Sequence, residues 1–141
     1  MTVEKFLVLL VEDNPDDEFL ALRSLRRQGL DNVVVAHDGE EALGYLLGTG
    51  CPAGEAAAIV PAVILLDLKL PKINGIEVLR ALRNDKRTES VPVIVLSSSR
   101  EECDLKCCRE LGALAYLTKP VDGKELVGIL EQARLLNAPC R

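Results

Sequence analysis

Short apolar segments alternate along the chain with segments in which apolar residues recur every three or four positions. Five apolar segments stand out: Phe6–Val11, Val33–Ala36, Ala62–Leu66, Val91–Leu96 and Ala113–Leu117. Several of them are rich in β-branched residues and apolar throughout, which is typical of parallel strands covered by helices on both faces. The pattern therefore predicts five buried parallel strands.

The segments between these strands have the spacing of amphipathic helices. In the first, Asn14 is placed to cap the N-terminus, Pro15 takes the first helical position and Gly29 ends the pattern. Because parallel neighbours need crossover helices, five strands alternating with five helices predict a doubly wound α/β fold. The other helices are predicted at Gly39–Leu47, Gly75–Asn84, Arg100–Leu111 and Asp122–Leu136.

Length and composition fit a single globular domain. The chain has 141 residues, of which 48% are hydrophobic and 28% charged. We therefore expect one domain over residues 1–141, with its core at about 5–136 and a long surface loop at 48–61. No apolar segment approaches the ~20 residues that span a bilayer. No signal-peptide cleavage pattern follows the first segment, so we expect a cytoplasmic protein without a membrane partner.

Charge and aromatic content narrow the choice of partners. The net charge is −5, and the chain has two Tyr, two Phe and no Trp. Such a surface repels phosphate backbones and offers few rings on which bases could stack, so we expect no nucleic-acid partner. The five cysteines are an odd number, which favours reduced thiols over a disulfide framework.

Polar residues follow directly after four of the five apolar segments. Acids follow the first and third, serines follow the fourth, and a threonine and a lysine follow the fifth. The carboxyl ends of parallel strands lie along one edge of an open sheet, and ligands bind in the crevice outside that edge. We therefore expect five residues that are distant in sequence to converge there: Glu12, Asp13, Asp67, Ser97 and Lys119.

These residue types suit the transfer of a phosphoryl group. Three carboxylates held close together repel one another unless a cation lies between them, and Mg²⁺ is a hard cation that prefers oxygen ligands. An aspartate can then act as nucleophile while the metal and a lysine neutralise the phosphoryl oxygens. An acid after one strand is more often a helix cap, but coincidence at four strand ends favours the functional interpretation.

Four stretches of the chain match a known family: VLLVEDNPDD (8–17), VILLDLKLP (63–71) followed by Asn74-Gly75, PVIVLS (92–97) and GALAYLTKP (112–120). On these stretches the chain resembles the receiver domain of two-component response regulators, over about residues 5–136. The resemblance implies a flavodoxin-like fold with a five-stranded parallel sheet in the order 2-1-3-4-5. Glu12 stands where many members have Asp, and Ser97 stands where Thr is commoner.

The resemblance implies a role for each acid of the predicted site. Asp67 is expected to be the phosphoacceptor, which receives the phosphoryl group from a histidine kinase or a histidine phosphotransfer protein. Mg²⁺ is expected to bind Asp13, Asp67 and the backbone carbonyl of Lys69. Glu12 is expected to act mostly through metal-bound water.

The resemblance also implies how the phosphoryl group is sensed. Lys119 is expected to contact it, with a cis bond between Lys119 and Pro120. Ser97 and Tyr116 are expected to form the switch that changes the surface of helix 4, strand 5 and helix 5. Lys69 and Ser99 are expected to tune the lifetime of the phosphoryl group. A static Tyr116 and a solvated Lys69 are the simpler alternatives.

Together these features predict a signalling protein rather than an enzyme. One alternative is a phosphatase with an aspartate nucleophile, although Lys69 stands where that class carries a second acid. Another is a pseudo-receiver that works without phosphorylation, which the complete acceptor set disfavours. Only five residues follow Leu136. We therefore expect output through a downstream protein target, a homodimer or onward phosphotransfer rather than through a further domain.

Two further clusters have simple interpretations and sharper alternatives. Cys103 and Cys107 are four residues apart on a predicted helix, where a disulfide would be strained, so packing or surface thiols are favoured over a redox pair. A basic run on the first helix is either a solvated face or a docking site for a kinase: Arg23, Arg26 and Arg27.

Overall fold

A computed structural model of the chain describes residues 6–47, 60–98 and 102–135, the last range without the side chains of residues 102–104. Most of the loop predicted at 48–61 lies outside the described residues, and so does Ser99. The predicted extent of the domain, 1–141 with a core at about 5–136, reaches beyond these ranges at both ends. The extent of the domain therefore stays a prediction.

Five strands and five helices alternate along the chain, and the strands form one parallel sheet in the order β2-β1-β3-β4-β5. The predicted doubly wound α/β fold is therefore confirmed. The elements are β1 Val8–Val11, α1 Pro15–Arg27, β2 Val33–Ala36, α2 Gly39–Leu47, β3 Val63–Asp67, α3 Gly75–Arg83, β4 Val93–Ser97, α4 Glu102–Glu110, β5 Ala115–Thr118 and α5 Gly123–Gln132.

The last residues of three strands were predicted wrongly. Strands β3, β4 and β5 each continue one residue further than the apolar segments that predict them. Asp67, Ser97 and Thr118 are thus the last residues of strands, because backbone pairing to the neighbouring strand includes them. Their side chains are consequently held by the sheet.

Each face of the sheet has its own apolar core, which explains why the strands are apolar throughout. In β1, Val8 and Leu10 pack with α1 and α5, whereas Leu9 and Val11 pack with α2, α3 and α4. Successive side chains of a strand point to opposite faces, so both sets must be apolar when helices cover both sides.

The helices that follow β1, β3 and β5 begin at the carboxyl edge of the sheet and have side-chain caps. Asn14 accepts hydrogen bonds from the backbone N–H groups of Asp16 and Asp17, as the sequence predicts, and Asn74 and Asp122 cap α3 and α5. These caps fix the loops that follow β1, β3 and β5. Within the described part of the chain, no helix has the length and apolarity needed to cross a membrane.

Gly75 allows α3 to begin directly against the end of β3. A Cβ at this position would overlap the carbonyl oxygen of Asp67 and lie 2.5 Å from Cα of Leu68. The backbone N–H of Gly75 also donates to the carbonyl of Leu68 at 2.9 Å. Since only glycine lacks the Cβ, glycine at position 75 allows the loop after Asp67 to bring the start of α3 this close to the end of β3.

Candidate functional site

Three carboxylates meet at the carboxyl edge of the sheet. Glu12 and Asp13 directly follow β1, and Asp67 ends β3, which is the neighbour of β1. Ligand oxygens of the three acids all lie within 4.8 Å of one another. Glu12 and Asp67 are buried, whereas Asp13 is exposed. This set of oxygen donors, open to solvent on one side, fits a hard divalent cation that keeps part of its water shell.

An ammonium group lies beside the carboxylates. Nζ of Lys119 is 2.6 Å from Oε1 of Glu12 and 2.8 Å from Oδ2 of Asp67. Lys119 directly follows β5, and its backbone N–H donates to the carbonyl of Ser97 at 3.0 Å. The bond between Lys119 and Pro120 is cis, as expected. The structure thus brings Glu12, Asp13, Asp67 and Lys119 together at the predicted edge.

A fourth carboxylate, which was not among the predicted site residues, also contacts the lysine. Oδ2 of Asp17 lies 3.0 Å from Nζ of Lys119. Asp17 is one of three acids in the first turn of α1, where such residues are common without a further role. The signal that could have found it is position, because the first turn of α1 lies at the same sheet edge as the end of β1.

Burial and ion pairing act against each other on the ionisable groups. Burial raises the pKa of Glu12 to about 7, and the nearby Lys119 ammonium does not offset this effect. Burial alone would lower the pKa of Lys119, but hydrogen bonds from its ammonium to Asp67, Glu12 and Asp17 outweigh burial and raise it above its ordinary value. The lysine is therefore a permanent cation among acids, one of which titrates near neutral pH.

The loop after β3 folds back onto Asp67. Oδ1 of Asp67 accepts a hydrogen bond from the backbone N–H of Lys69 at 3.1 Å, while Oδ2 receives the Lys119 ammonium. Each oxygen of this carboxylate therefore accepts a hydrogen bond, and the two bonds fix the orientation of the Asp67 side chain. The Lys69 residue itself is exposed, which places it at the rim of the site.

The two predicted switch residues occupy neighbouring strands. Ser97 is fully buried at the end of β4 and pairs in register with Thr118 of β5. Tyr116 is partly buried and packs with the apolar cluster that contains Cys108 of α4. Tyr116 thus connects β5 with the α4 side of the sheet.

The predicted cysteine pair is only partly described. Cys107 is partly buried and Cys108 is buried, while the side chain of Cys103 lies outside the described residues. The redox alternative for Cys103 and Cys107 therefore stays untested.

Comparison with known families gives a match over most of the chain. Residues 8–131 match the model of the response regulator receiver domain. Response regulator Rcp1 of Synechocystis sp. (strain ATCC 27184 / PCC 6803 / Kazusa) is 33% identical over 126 residues, which are 89% of this chain and 84% of Rcp1. The chain also spans about 45% of the length of several curated transcriptional regulators to which it is similar.

Solved structures with the same fold include regulators of phytochrome signalling. The bacteriophytochrome response regulator AtBRR matches with a TM-score of 0.82 and 43% identity, over 96% of both chains. The phosphorylated cyanobacterial phytochrome response regulator RcpA matches with a TM-score of 0.72 and 36% identity, over 91% of this chain and 90% of RcpA. The Mn²⁺-bound form of Rcp1 matches with a TM-score of 0.74 and 32% identity, over 96% and 98% of the two chains.

Proposed function

The chain belongs to the response regulator receiver family of two-component systems, and we propose that Asp67 accepts a phosphoryl group from a histidine kinase or a histidine phosphotransfer protein. Receiver domains are phosphorylatable signalling proteins rather than classical enzymes. The observation that supports Asp67 most strongly is its position. It lies within 4.8 Å of two other carboxylates, and Nζ of Lys119 is 2.8 Å from its Oδ2.

Phosphoryl transfer needs a nucleophile and compensation of negative charge. A carboxylate oxygen of Asp67 attacks the phosphorus of phosphohistidine, an O–P bond forms, and the P–N bond breaks with its electron pair going to the imidazole. The Lys119 ammonium neutralises charge on the phosphoryl oxygens. Magnesium, when bound, supplies further positive charge to these oxygens.

We propose Mg²⁺ as the metal, held by Asp13, Asp67 and the backbone carbonyl of Lys69. Glu12 acts mainly through metal-bound water, because its carboxylate already contacts Lys119 at 2.6 Å. The exposed position of Asp13 leaves room for the water ligands that Mg²⁺ retains. The Mn²⁺-bound form of Rcp1 supports a divalent cation in this family.

Ser97 and Tyr116 form the proposed switch. The Ser97 hydroxyl moves toward the phosphoryl group, and Tyr116 then turns inward and repacks α4, β5 and α5. Support comes from the burial of Ser97 beside Lys119 and from the packing of Tyr116 against the α4 side. Phosphorylation acts through its different interaction energy with the two states. The changed surface binds a downstream protein target or a second copy of the chain, or the phosphoryl group passes on.

Lys69 is the proposed determinant of phosphoryl lifetime. Its exposed side chain stands at the rim, where it alters the approach of the attacking water. Replacement by alanine is expected to change the rate of dephosphorylation and leave the fold intact. An unchanged half-life of the phosphoryl group in Lys69→Ala contradicts this role. Ser99, the second proposed determinant, lies outside the described residues.

The proposed docking surface for the kinase is the outer face of α1. The side chain of Phe19 is 63% exposed, which is unusual for a large apolar residue. It lines a groove of about 360 Å³ together with Leu22 and three arginines: Arg23, Arg26 and Arg27. An exposed ring flanked by cations suits a helical partner with an apolar and acidic face.

Incubation with Mg²⁺ and acetyl phosphate, read by intact mass, tests the proposed acceptor. The wild type is expected to gain one phosphoryl group, and Asp67→Asn is expected to gain none. Asp31→Asn, which changes an exposed acid outside the site, is the matched control and should behave as wild type. A phosphoryl group on Asp67→Asn contradicts the assignment. Repeated turnover of small phosphomonoesters would instead indicate a phosphatase.

A further inference from the structure

The Lys119 ammonium contacts one carboxylate that does not belong to the metal cluster. Its three shortest ion pairs are with Glu12 at 2.6 Å, Asp67 at 2.8 Å and Asp17 at 3.0 Å. Among the described residues, the metal cluster consists of Glu12, Asp13 and Asp67, without Asp17. Asp17 is therefore the partner of Lys119 that has no part in the proposed metal binding.

Local structure fixes Asp17 relative to the lysine. Its backbone N–H donates to the Asn14 cap at 3.1 Å, so its place in the first turn of α1 is set. Further along α1, the hydroxyl of Ser24 donates to the carbonyl of Val121 at 3.1 Å. A Cβ on Gly123 would lie only 2.7 Å from the carbonyl of Ser24. Helix α1 is thus packed closely against the loop that carries Lys119.

An ammonium group has three N–H donors, and here each donor has a carboxylate within reach. A phosphoryl group on Asp67 needs at least one of these donors. The contact with Asp67 is part of the acceptor itself, and Glu12 is buried beside the lysine. The Asp17 side chain is 38% exposed and can be solvated by water when its contact lengthens. Of the three contacts of the ammonium, the one with Asp17 can therefore be broken with the smallest loss of free energy.

We propose that Asp17 is a positioning residue that holds one donor of Lys119 in the unphosphorylated state and competes with the phosphoryl group for it. This inference rests on the proposed function of Asp67. Asp17 also adds one negative charge beside the place where an anionic group must bind. Removal of that charge frees the ammonium and reduces repulsion, so the phosphoryl state becomes easier to form.

The test compares Asp17→Asn with Asp16→Asn. Asp16 is the neighbouring exposed acid in the same first turn, so both variants lose one charge at the N-terminus of α1. The readout is the affinity for beryllofluoride in Mg²⁺, measured by calorimetry, because beryllium becomes tetrahedral when it coordinates the acceptor aspartate and mimics the phosphoryl group without phosphoryl transfer. Asp17→Asn is expected to bind roughly threefold more tightly than wild type, as for a partly solvated ion pair. Asp16→Asn should be unchanged.

A second readout follows the lysine directly. In ¹H–¹⁵N spectra of the metal-free protein, the ammonium signal of Lys119 is expected to shift or to broaden by faster exchange in Asp17→Asn and to stay in place in Asp16→Asn. This signal reports the contact whether or not Asp67 accepts a phosphoryl group.

The outcomes separate the two proposals. If wild type binds no beryllofluoride and gains no phosphoryl group, the proposed function and this inference both fail. If wild type binds and Asp17→Asn binds equally or more weakly, only the competing role of Asp17 is overturned. An equal change in Asp16→Asn overturns it as well, because charge rather than contact would then explain the effect.

Discussion

The Nζ atom of Lys119 lies 2.8 Å from Oδ2 of Asp67, although 52 residues separate the two in sequence. Asp67 ends β3 and Lys119 follows β5, and these two strands are not neighbours because β4 lies between them in the sheet. The lysine therefore reaches across the end of β4 to form a buried ion pair. Of the Lys119 side chain, 14% is exposed, and of the Asp67 side chain, 6%.

Replacement of Lys119 by methionine should destabilise the metal-free protein. Loss of the ammonium leaves Asp67 and Glu12 buried without a counter-charge, which is expected to lower the free energy of unfolding by about 3 kcal/mol. Mg²⁺ can replace the missing positive charge, so the gain in stability on adding it should be larger in the variant. Urea unfolding in EDTA and in Mg²⁺ measures both effects.

Lys124→Met is the matched control, because this exposed lysine lies in the first turn of α5, outside the site. It should change stability little, and Mg²⁺ should stabilise it as much as wild type. Equal stability of Lys119→Met and wild type in EDTA would mean that the buried pair contributes nothing.

The general architecture could be predicted from the pattern of apolar residues, because buried parallel strands and amphipathic helices differ in length and period. Strand order could not, since periodicity indicates that a strand exists but not which strand lies beside it; the order came from the family resemblance. The strand ends were misplaced for a related reason. The side chains of Asp67 and Ser97 are polar, yet their backbones still pair with the next strand.

The site could be predicted as far as its residues follow strands. Glu12, Asp13 and Asp67 converge because parallel strands end at one edge, and Lys119 follows from the same rule. Asp17 could not be predicted as a site residue. Acids are common in the first turn of a helix, so nothing in the sequence indicates that this one has a second role. Only the packing of α1 against the loop after β5 brings it to the lysine.

The stability of the metal-free protein should fall as pH rises through neutrality. Burial raises the pKa of Glu12 from 4.5 to about 7, so between these values the folded state holds a proton that the unfolded state has lost. Stability conferred by this proton is present below pH 4.5 and lost as pH rises through 7. The total change is expected to be about 3 kcal/mol. Urea unfolding in EDTA between pH 5 and 8 measures it.

Glu12→Gln should remove most of this pH dependence, because the amide does not titrate. Glu89→Gln, at an exposed position, should retain it. A slope in Glu12→Gln as steep as in wild type would mean that another group is responsible.

A methyl group at Gly75 should disturb the site through the backbone. The added Cβ overlaps the carbonyl of Asp67, and backbone cannot move aside as a flexible side chain can. Gly75→Ala is expected to lose about 1–3 kcal/mol of stability and to be phosphorylated more slowly by acetyl phosphate. Gly128 in α5 is the control, because a Cβ there meets nothing within 4 Å. Gly128→Ala should gain about 0.5–1 kcal/mol, and a similar gain in Gly75→Ala would contradict the close contact.

Arg83 should stabilise the edge of the sheet opposite the site without affecting phosphorylation. Its Nε donates to the carbonyl of Leu111 at 2.8 Å and one terminal nitrogen to that of Gly112 at 3.2 Å. The other terminal nitrogen donates to the carbonyls of Val91 at 2.9 Å and Glu89 at 3.0 Å. One planar guanidinium thus joins the loop before β4 to the loop before β5, which the three donors of a lysine cannot reproduce.

Arg83→Lys is therefore expected to lose about 2 kcal/mol of stability in urea unfolding, since the carbonyls of Leu111 and Val91, whose hydrogen bonds are partly buried, lose a charged donor. Arg80→Ala, at an exposed position on the same helix, is the control and should change stability by less than about 0.5 kcal/mol. The rate of phosphorylation by acetyl phosphate should match wild type in both variants. Asp67 lies at the carboxyl edge of the sheet, whereas Arg83 binds loops at the opposite edge. A selective loss of that rate in Arg83→Lys would show that the two sheet edges are coupled.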